Sequence, residues 1–374
     1  MVMAAAPFGF ARASNPALRP LPGPLSLRHP LLVAERVGLD VVRGVARLVG
    51  LSAPVQAFLS RNNVQIIKDV PYLGSGDSSH TLDVVRPRDA DHRAGLPVVL
   101  YVHGGGFETC SKETHWMMAG QFARAGYVVF NINYRLAPEH PFPAGLEDVC
   151  SAYLWVLDNA ERFGGDHSRI VVAGESAGGN LVTSLAMATC VERPEPWARA
   201  VFRRHRVPVA VLAACGFFEV SNAGRFRALA KRSWFVTKQA IEQIGRSYLP
   251  KPAHYAGEHD LADPLRLLES SEAFARPLPP FLVTCGTADP LLHDSERLEV
   301  ALRARGVDHR AHYYPGEIHA FHAMWWRASS KLLWEDTRSF LGELLAPRAA
   351  PGDFASPFDA ELLAISQELA SSAA

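Results

Sequence analysis

Ile170-Val-Val-Ala-Gly174-Glu175-Ser176-Ala177-Gly178-Gly179 is the stretch on which the reading of this chain turns. The apolar run Ile170–Ala173 reads as a buried strand, and Leu181–Cys190 reads as a helix. Between them the chain must reverse within a few residues. A serine on such a turn is held in a strained backbone conformation with its hydroxyl presented outward. The residues two before and two after Ser176 come close together there, so only small side chains fit, which accounts for Gly174 and Gly178. Gly179 lets the start of the helix pack against the sheet. The free N–H groups of the helix N-terminus face the serine oxygen and favour negative charge on it. Gly-x-Ser-x-Gly alone occurs often by chance; the strand–turn–helix setting gives it weight.

Outward from the turn, the same alternation repeats. Strands are expected at Val98–Val102, Tyr127–Ile132, Val207–Ala214, Phe281–Cys285 and His309–Tyr314. Helices are expected at Thr114–Ala125, Leu146–Asn159, Leu291–Arg305 and from about Ala323 to Leu345. Continuously apolar strands separated by helices make a mostly parallel sheet with helices on both faces. The rhythm breaks between Phe217 and Pro264, a more polar segment with helical patterns at Arg225–Lys231 and Thr237–Ser247 and no clear strand. It reads as an insertion above the sheet. Residues 1–30 are rich in Pro and Ala. Val33, Val37, Val41, Val45 and Leu48 then recur at helical spacing, an apolar stripe suited to covering the protein's own site, with membrane-surface contact the less favoured reading. The tail from Pro347 has one short helical pattern at Phe358–Leu369.

The composition sets limits. The 374 residues carry 38 Lys+Arg and 38 Asp+Glu, so the formal net charge is zero, which argues against a nucleic-acid partner. No apolar run is long enough for a spanning helix. Five cysteines at 110, 150, 190, 215 and 285 show no CxxC spacing, so neither a metal site nor a disulfide framework is expected. Reduced, mostly buried thiols fit a cytoplasmic location.

A second glycine cluster, His103-Gly104-Gly105-Gly106-Phe107, follows the strand Val98–Val102. Three glycines cost backbone entropy, which suggests that N–H groups must approach something closely. A phosphate loop is the alternative, but no GKS/T follows and GxGxxG is not matched. Such a loop supplies oxyanion donors next to a nucleophilic serine, with His103 structural. A serine nucleophile needs a base and the base an orienting acid, in the order Ser, Asp/Glu, His. Of the five Asp between Ser176 and His319, only Asp289 directly follows an apolar strand; Asp294, in the next helix, is the runner-up. Of the later histidines, His293 opens a helix, His309 and His312 lie in the last strand, and His322 belongs to the following helix. His319 alone falls in the loop past that strand.

Together these motifs, with Tyr134-Arg-Leu-Ala-Pro-Glu-His-Pro-Phe-Pro-Ala-Gly-Leu-Glu-Asp148, resemble the hormone-sensitive-lipase-like branch of the α/β-hydrolase serine esterases over roughly residues 65–345. The resemblance implies an α/β-hydrolase fold with a helical cap, built from the N-terminal extension (1–64) and the insertion at about 217–264. Residues 346–374 remain as a tail. It implies a Ser176–Asp289–His319 triad and an oxyanion hole from the N–H groups of Gly105, Gly106 and Ala177, with His103, Gly104, Gly174 and Gly178 shaping the site. No cofactor is implied. The expected activity is hydrolysis of short- to medium-chain acyl esters, a small-molecule substrate. An amidase, lactonase or deacetylase on the same triad, or a non-catalytic ligand-binding protein on the same fold, are the alternatives. An oligomer is compatible with this reading.

Overall fold

The computed structural model describes residues 61–93, 95–228, 238–250 and 261–346. The Val33–Leu48 stripe, the Phe358–Leu369 pattern and two parts of the insertion lie outside them.

Eight strands form one sheet: β1 (Val64–Pro71), β2 (Thr81–Pro87), β3 (Leu96–Val102), β4 (Val128–Ile132), β5 (Gly165–Glu175), β6 (Ala210–Ala214), β7 (Phe281–Gly286) and β8 (His309–Tyr314). Their spatial order is β1-β2-β4-β3-β5-β6-β7-β8. β1 and β2 run antiparallel at one edge, and β2 is antiparallel to β4. The other pairings are parallel. The two antiparallel strands are additions to the expected set. Lys68 and Asp69 interrupt the apolar pattern of β1, where the pairing register also shifts. Such a polar, irregular strand is typical of a sheet edge and gives a weak sequence signal.

The central strands read as continuous apolar runs because both faces are covered. On β3, Val98, Leu100 and Val102 enter one core with helices α2 (Ala144–Asn159) and α3 (Ala177–Cys190). Val99 and Tyr101 point the other way, into a second core with α1 (Trp116–Arg124) and the C-terminal helix (Ala328–Leu345). The remaining helices are α4 (Pro196–Arg203), α5 (Lys238–Tyr248), α6 (Pro264–Glu269), α7 (Leu292–Ala304) and that C-terminal helix, α8. α8 starts five residues later than expected. His322 accordingly lies in a separate short 3₁₀ turn, Phe321–Ala323, and not in the helix.

The insertion proves less polar than its composition suggests. Phe217, Phe218, Val220 and Phe226 are buried at its entry. Asp294 and Asp263 hold that entry: Asp294 accepts from the N–H groups of Phe218 and Glu219, and Asp263 from that of Ser221 at 3.0 Å. No helix among the described residues is long and apolar enough to cross a membrane.

Candidate active site

Ser176 stands between the end of β5 and the start of α3, at φ +55 and ψ −119. A non-glycine residue in that region carries strain of about 1–3 kcal/mol, which the surroundings must over-determine. They do so by backbone bonds: Ser176 N–H donates to Ala214 O at 2.9 Å, and Phe217 N–H to Ser176 O at 3.3 Å. A Cβ on Gly178 would lie 2.1 Å from Val102 O, and one on Gly174 2.5 Å from Gly178 O. Gly174 thus faces Gly178 across the turn, while Gly178 is kept small by the end of β3.

The loop after β3 lies directly against this turn. A Cβ on Gly104 would come 3.3 Å from Ser176 Cβ. Gly105 and Gly106 adopt φ +110 and +61. The N–H groups of Gly105, Gly106 and Ala177 find no acceptor among the described residues. His103 is tied into the loop: Nδ1 donates to Gly104 O at 2.7 Å and its ring stacks on Tyr134. Burial, reinforced by neighbouring His115, pushes its pKa down to about 3, so it stays neutral.

Asp289 follows β7 and His319 follows β8, both at the carboxyl ends of their strands, where open parallel sheets place their chemistry. His319 Nδ1 meets Asp289 Oδ2 at 2.8 Å. Leu291 N–H donates to the other carboxylate oxygen at 2.8 Å, which fixes the acid. Burial disfavours a charged imidazole here. The Asp289 carboxylate, with Cys215 beside it, outweighs that cost and holds His319 well above its ordinary value. The Ser176 hydroxyl makes no hydrogen bond among the described residues; such bonds are commonly long without substrate.

With this geometry established, comparison with known proteins is informative. Residues 99–323, more than half of the chain, match the family described as the alpha/beta hydrolase fold. The chain belongs to the hormone-sensitive-lipase-like α/β hydrolases. Carboxylesterase NlhH of Mycobacterium tuberculosis is 34% identical over 236 residues, covering 61% of this chain and 67% of that protein. Ethyl acetate hydrolase of Pseudomonas putida is 29% identical over 251 residues, covering 66% and 73%. A hyperthermophilic esterase from the archaeon Pyrobaculum calidifontis superposes with a TM-score of 0.62 at 28% identity, covering 87% of this chain and all of that one.

In this α/β hydrolase several residues that shape the site went unread in the sequence. Glu175 accepts Gly104 N–H at 2.7 Å, the Tyr101 hydroxyl, and His115 Nε2 at 2.8 Å. Burial alone would raise its pKa; His115 and the Tyr101 bond lower it to about 2. It thus ties the glycine loop to the serine turn as a fixed anion. The signal was available, since a carboxylate within a buried run demands partners. Tyr134, Arg135 and Asp148 of the second motif also have roles: Arg135 pairs with Asp148, and Tyr134 OH donates to His103 O at 2.9 Å. Over the glycine loop lies α5 of the insertion, whose Ile244 Cδ1 would be 2.7 Å from a Cβ on Gly106. Tyr248 stacks on Phe107 with ring centroids 3.7 Å apart.

Proposed function

We propose that the protein is a serine carboxylesterase that hydrolyses short- to medium-chain acyl esters through a Ser176–His319–Asp289 triad and an acyl-enzyme. The observation that carries the reading is the part-buried 2.8 Å His319–Asp289 bond at the strand ends, at the same end of the sheet as the strained Ser176 turn. His319 takes the Ser176 proton as the oxygen attacks the ester carbonyl. Asp289 holds the imidazole tautomer and stabilises its charged form. The N–H groups of Gly105, Gly106 and Ala177 bind the developing oxyanion, each worth about 2.7–4 kcal/mol. The alcohol leaves with the proton from His319, and water then cleaves the acyl-enzyme with His319 again as base.

The acyl preference rests on the α5 contact. A roof of Ile244 and Tyr248 over the glycine loop encloses a short chain, while a long one must leave through a gap and bury less, at ~0.8 kcal/mol per CH₂. The test is a p-nitrophenyl ester series from acetate to palmitate with the wild type and Ser176→Ala. The expected kcat/KM peaks on short to medium esters, falls beyond about eight carbons, and vanishes in the variant along with fluorophosphonate labelling. Full labelling of Ser176→Ala would overturn the assignment.

A further inference from the structure

Cys215 is the first residue past β6 and has no part in the hydrolysis derived above. Its φ is +39, a left-handed conformation that side chains rarely adopt. Its N–H donates to Thr284 O on the neighbouring strand at 2.7 Å, and the residue is 3% exposed. The backbone thus turns this thiol toward the acid and base. Its sulfur, a carboxylate oxygen of Asp289 and a ring nitrogen of His319 all lie within 4.8 Å of one another.

We propose that Cys215, Asp289 and His319 form a three-donor site for a zinc-class divalent cation, and that occupancy switches hydrolysis off. Thiolate, carboxylate and imidazole are zinc donors, and three protein ligands leave a fourth position open. Sequence spacing could not show the set, because its members come from three separate loops that the sheet brings to one end. Tetrahedral bonds of about 2.0–2.3 Å place donor atoms roughly 3.3–3.6 Å apart. The sulfur, already within hydrogen-bond reach of His319, takes up that spacing, and the His319–Asp289 pair, now at 2.8 Å, opens by about half an ångström. The cation takes the place of the proton between Nδ1 and the carboxylate. Cys215 releases its thiol proton to water. The imidazole bonds the cation through Nδ1, gives up to water the proton that the Asp289 pairing holds there, and keeps its other proton on Nε2. Nε2 then has no lone pair to accept the Ser176 proton. No electrons change hands, so a chelator restores activity.

The switching half of this inference rests on the proposed function; the binding half does not, and the test separates them. Chelator-treated full-length protein is titrated with Co²⁺ as the spectroscopic probe, and hydrolysis of p-nitrophenyl acetate is titrated with Zn²⁺. We expect a thiolate-to-cobalt charge-transfer absorption at one equivalent in the wild type. It should persist in Ser176→Ala and in Cys110→Ala, which removes the more accessible thiol. It should be lost in Cys215→Ala, and in Cys215→Ser should the alanine variant fold poorly. The Zn²⁺ concentration for half-inhibition, each variant read against its own chelator-treated rate, should rise at least about tenfold without the thiol. Absorption that is missing, or that survives loss of Cys215, overturns the site. Absorption that depends on Cys215 with undiminished hydrolysis overturns the switch. A Cys215-dependent band in a protein that cleaves no ester leaves the site standing and removes the esterase reading.

Discussion

At the scale of single residues, the two aspartates after β7 separate orientation from architecture. Asp289 bonds the imidazole; Asp294, five residues on, bonds Arg225 and the N–H groups of Phe218 and Glu219 and is fully buried. Asp289→Asn should lower kcat by about 10⁴ with little change in melting temperature, since it leaves the base in the wrong tautomer. Asp294→Asn removes the closer of the two buried carboxylates that face Arg225, leaving Glu219 at 3.8 Å, and should cost stability at the lower end of the about 3–5 kcal/mol seen when a buried ion pair is broken. It should lower the melting temperature sharply while kcat, measured well below that temperature, falls far less. Kinetics and thermal denaturation on both variants check this, and a reversed pattern would make Asp294 the orienter. Strand-end position singled out Asp289 in the sequence, and it is the one of the two that bonds His319. What Asp294 holds was not legible, because its partners are 69 to 76 residues away in the chain.

At the scale of elements, buried parallel strands announced themselves and the edge did not. β3, β6, β7 and the second half of β5, from Ile170, are largely apolar on both faces, so a near-continuous run marks each one, while the polar first half of β5 (Gly165–Arg169) was not read as strand. β1 and β2 carry Lys68, Asp69, Asp83 and Arg86 and escaped notice; Asp83 and Asp69 pair with the buried Lys112, a connection that only the fold creates. The serine turn was legible at Gly174, where steric exclusion acts within five residues, whereas Gly178 is excluded by β3, which the sequence could not show. That exclusion makes a prediction. A methyl group on Gly178 would stand 2.1 Å from Val102 O, backbone that cannot yield without displacing β3. Gly224 meets nothing within 4 Å. Gly178→Ala should therefore cost at least the upper end of the ~1–3 kcal/mol typical of overpacking and abolish serine labelling. Gly224→Ala should leave the stability within about 0.5 kcal/mol of the wild type. Equal stability of the two variants would contradict the geometry of the turn.

At the scale of the whole molecule, the site's buried histidines tie stability to pH. His103 and His322 are nearly inaccessible to water, and burial pushes their pKa values from 6.5 down to about 3 and about 4. An unfolded chain takes up a proton on each below pH 6.5, and the folded one does not until far lower. The contribution of these groups is therefore whole above pH 6.5 and drains away on acidification, by up to about 1.4 kcal/mol per pH unit for each histidine. Glu175 adds to the loss further down: held to about 2, it contributes stability above its ordinary 4.5 that disappears as the pH falls toward 2. His115 works in the opposite direction. Burial lowers its proton affinity, but pairing with Glu175 prevails and raises its pKa, so its contribution is complete below 6.5 and lost only as the pH rises through the raised value. It gives nothing back on the acid side. Melting temperature should accordingly decline steadily from pH 6.5 to 4 and go on declining at a similar slope toward 3, where Glu175 replaces His322 as the second titrating group. His322→Gln, which cannot take up a proton, should flatten the first part of that decline by about half, since one of the two titrating histidines is gone. Denaturation curves of wild type and variant at half-unit pH steps measure the slope directly. Parallel curves between pH 6.5 and 4 would mean that His322 is charged in the folded protein.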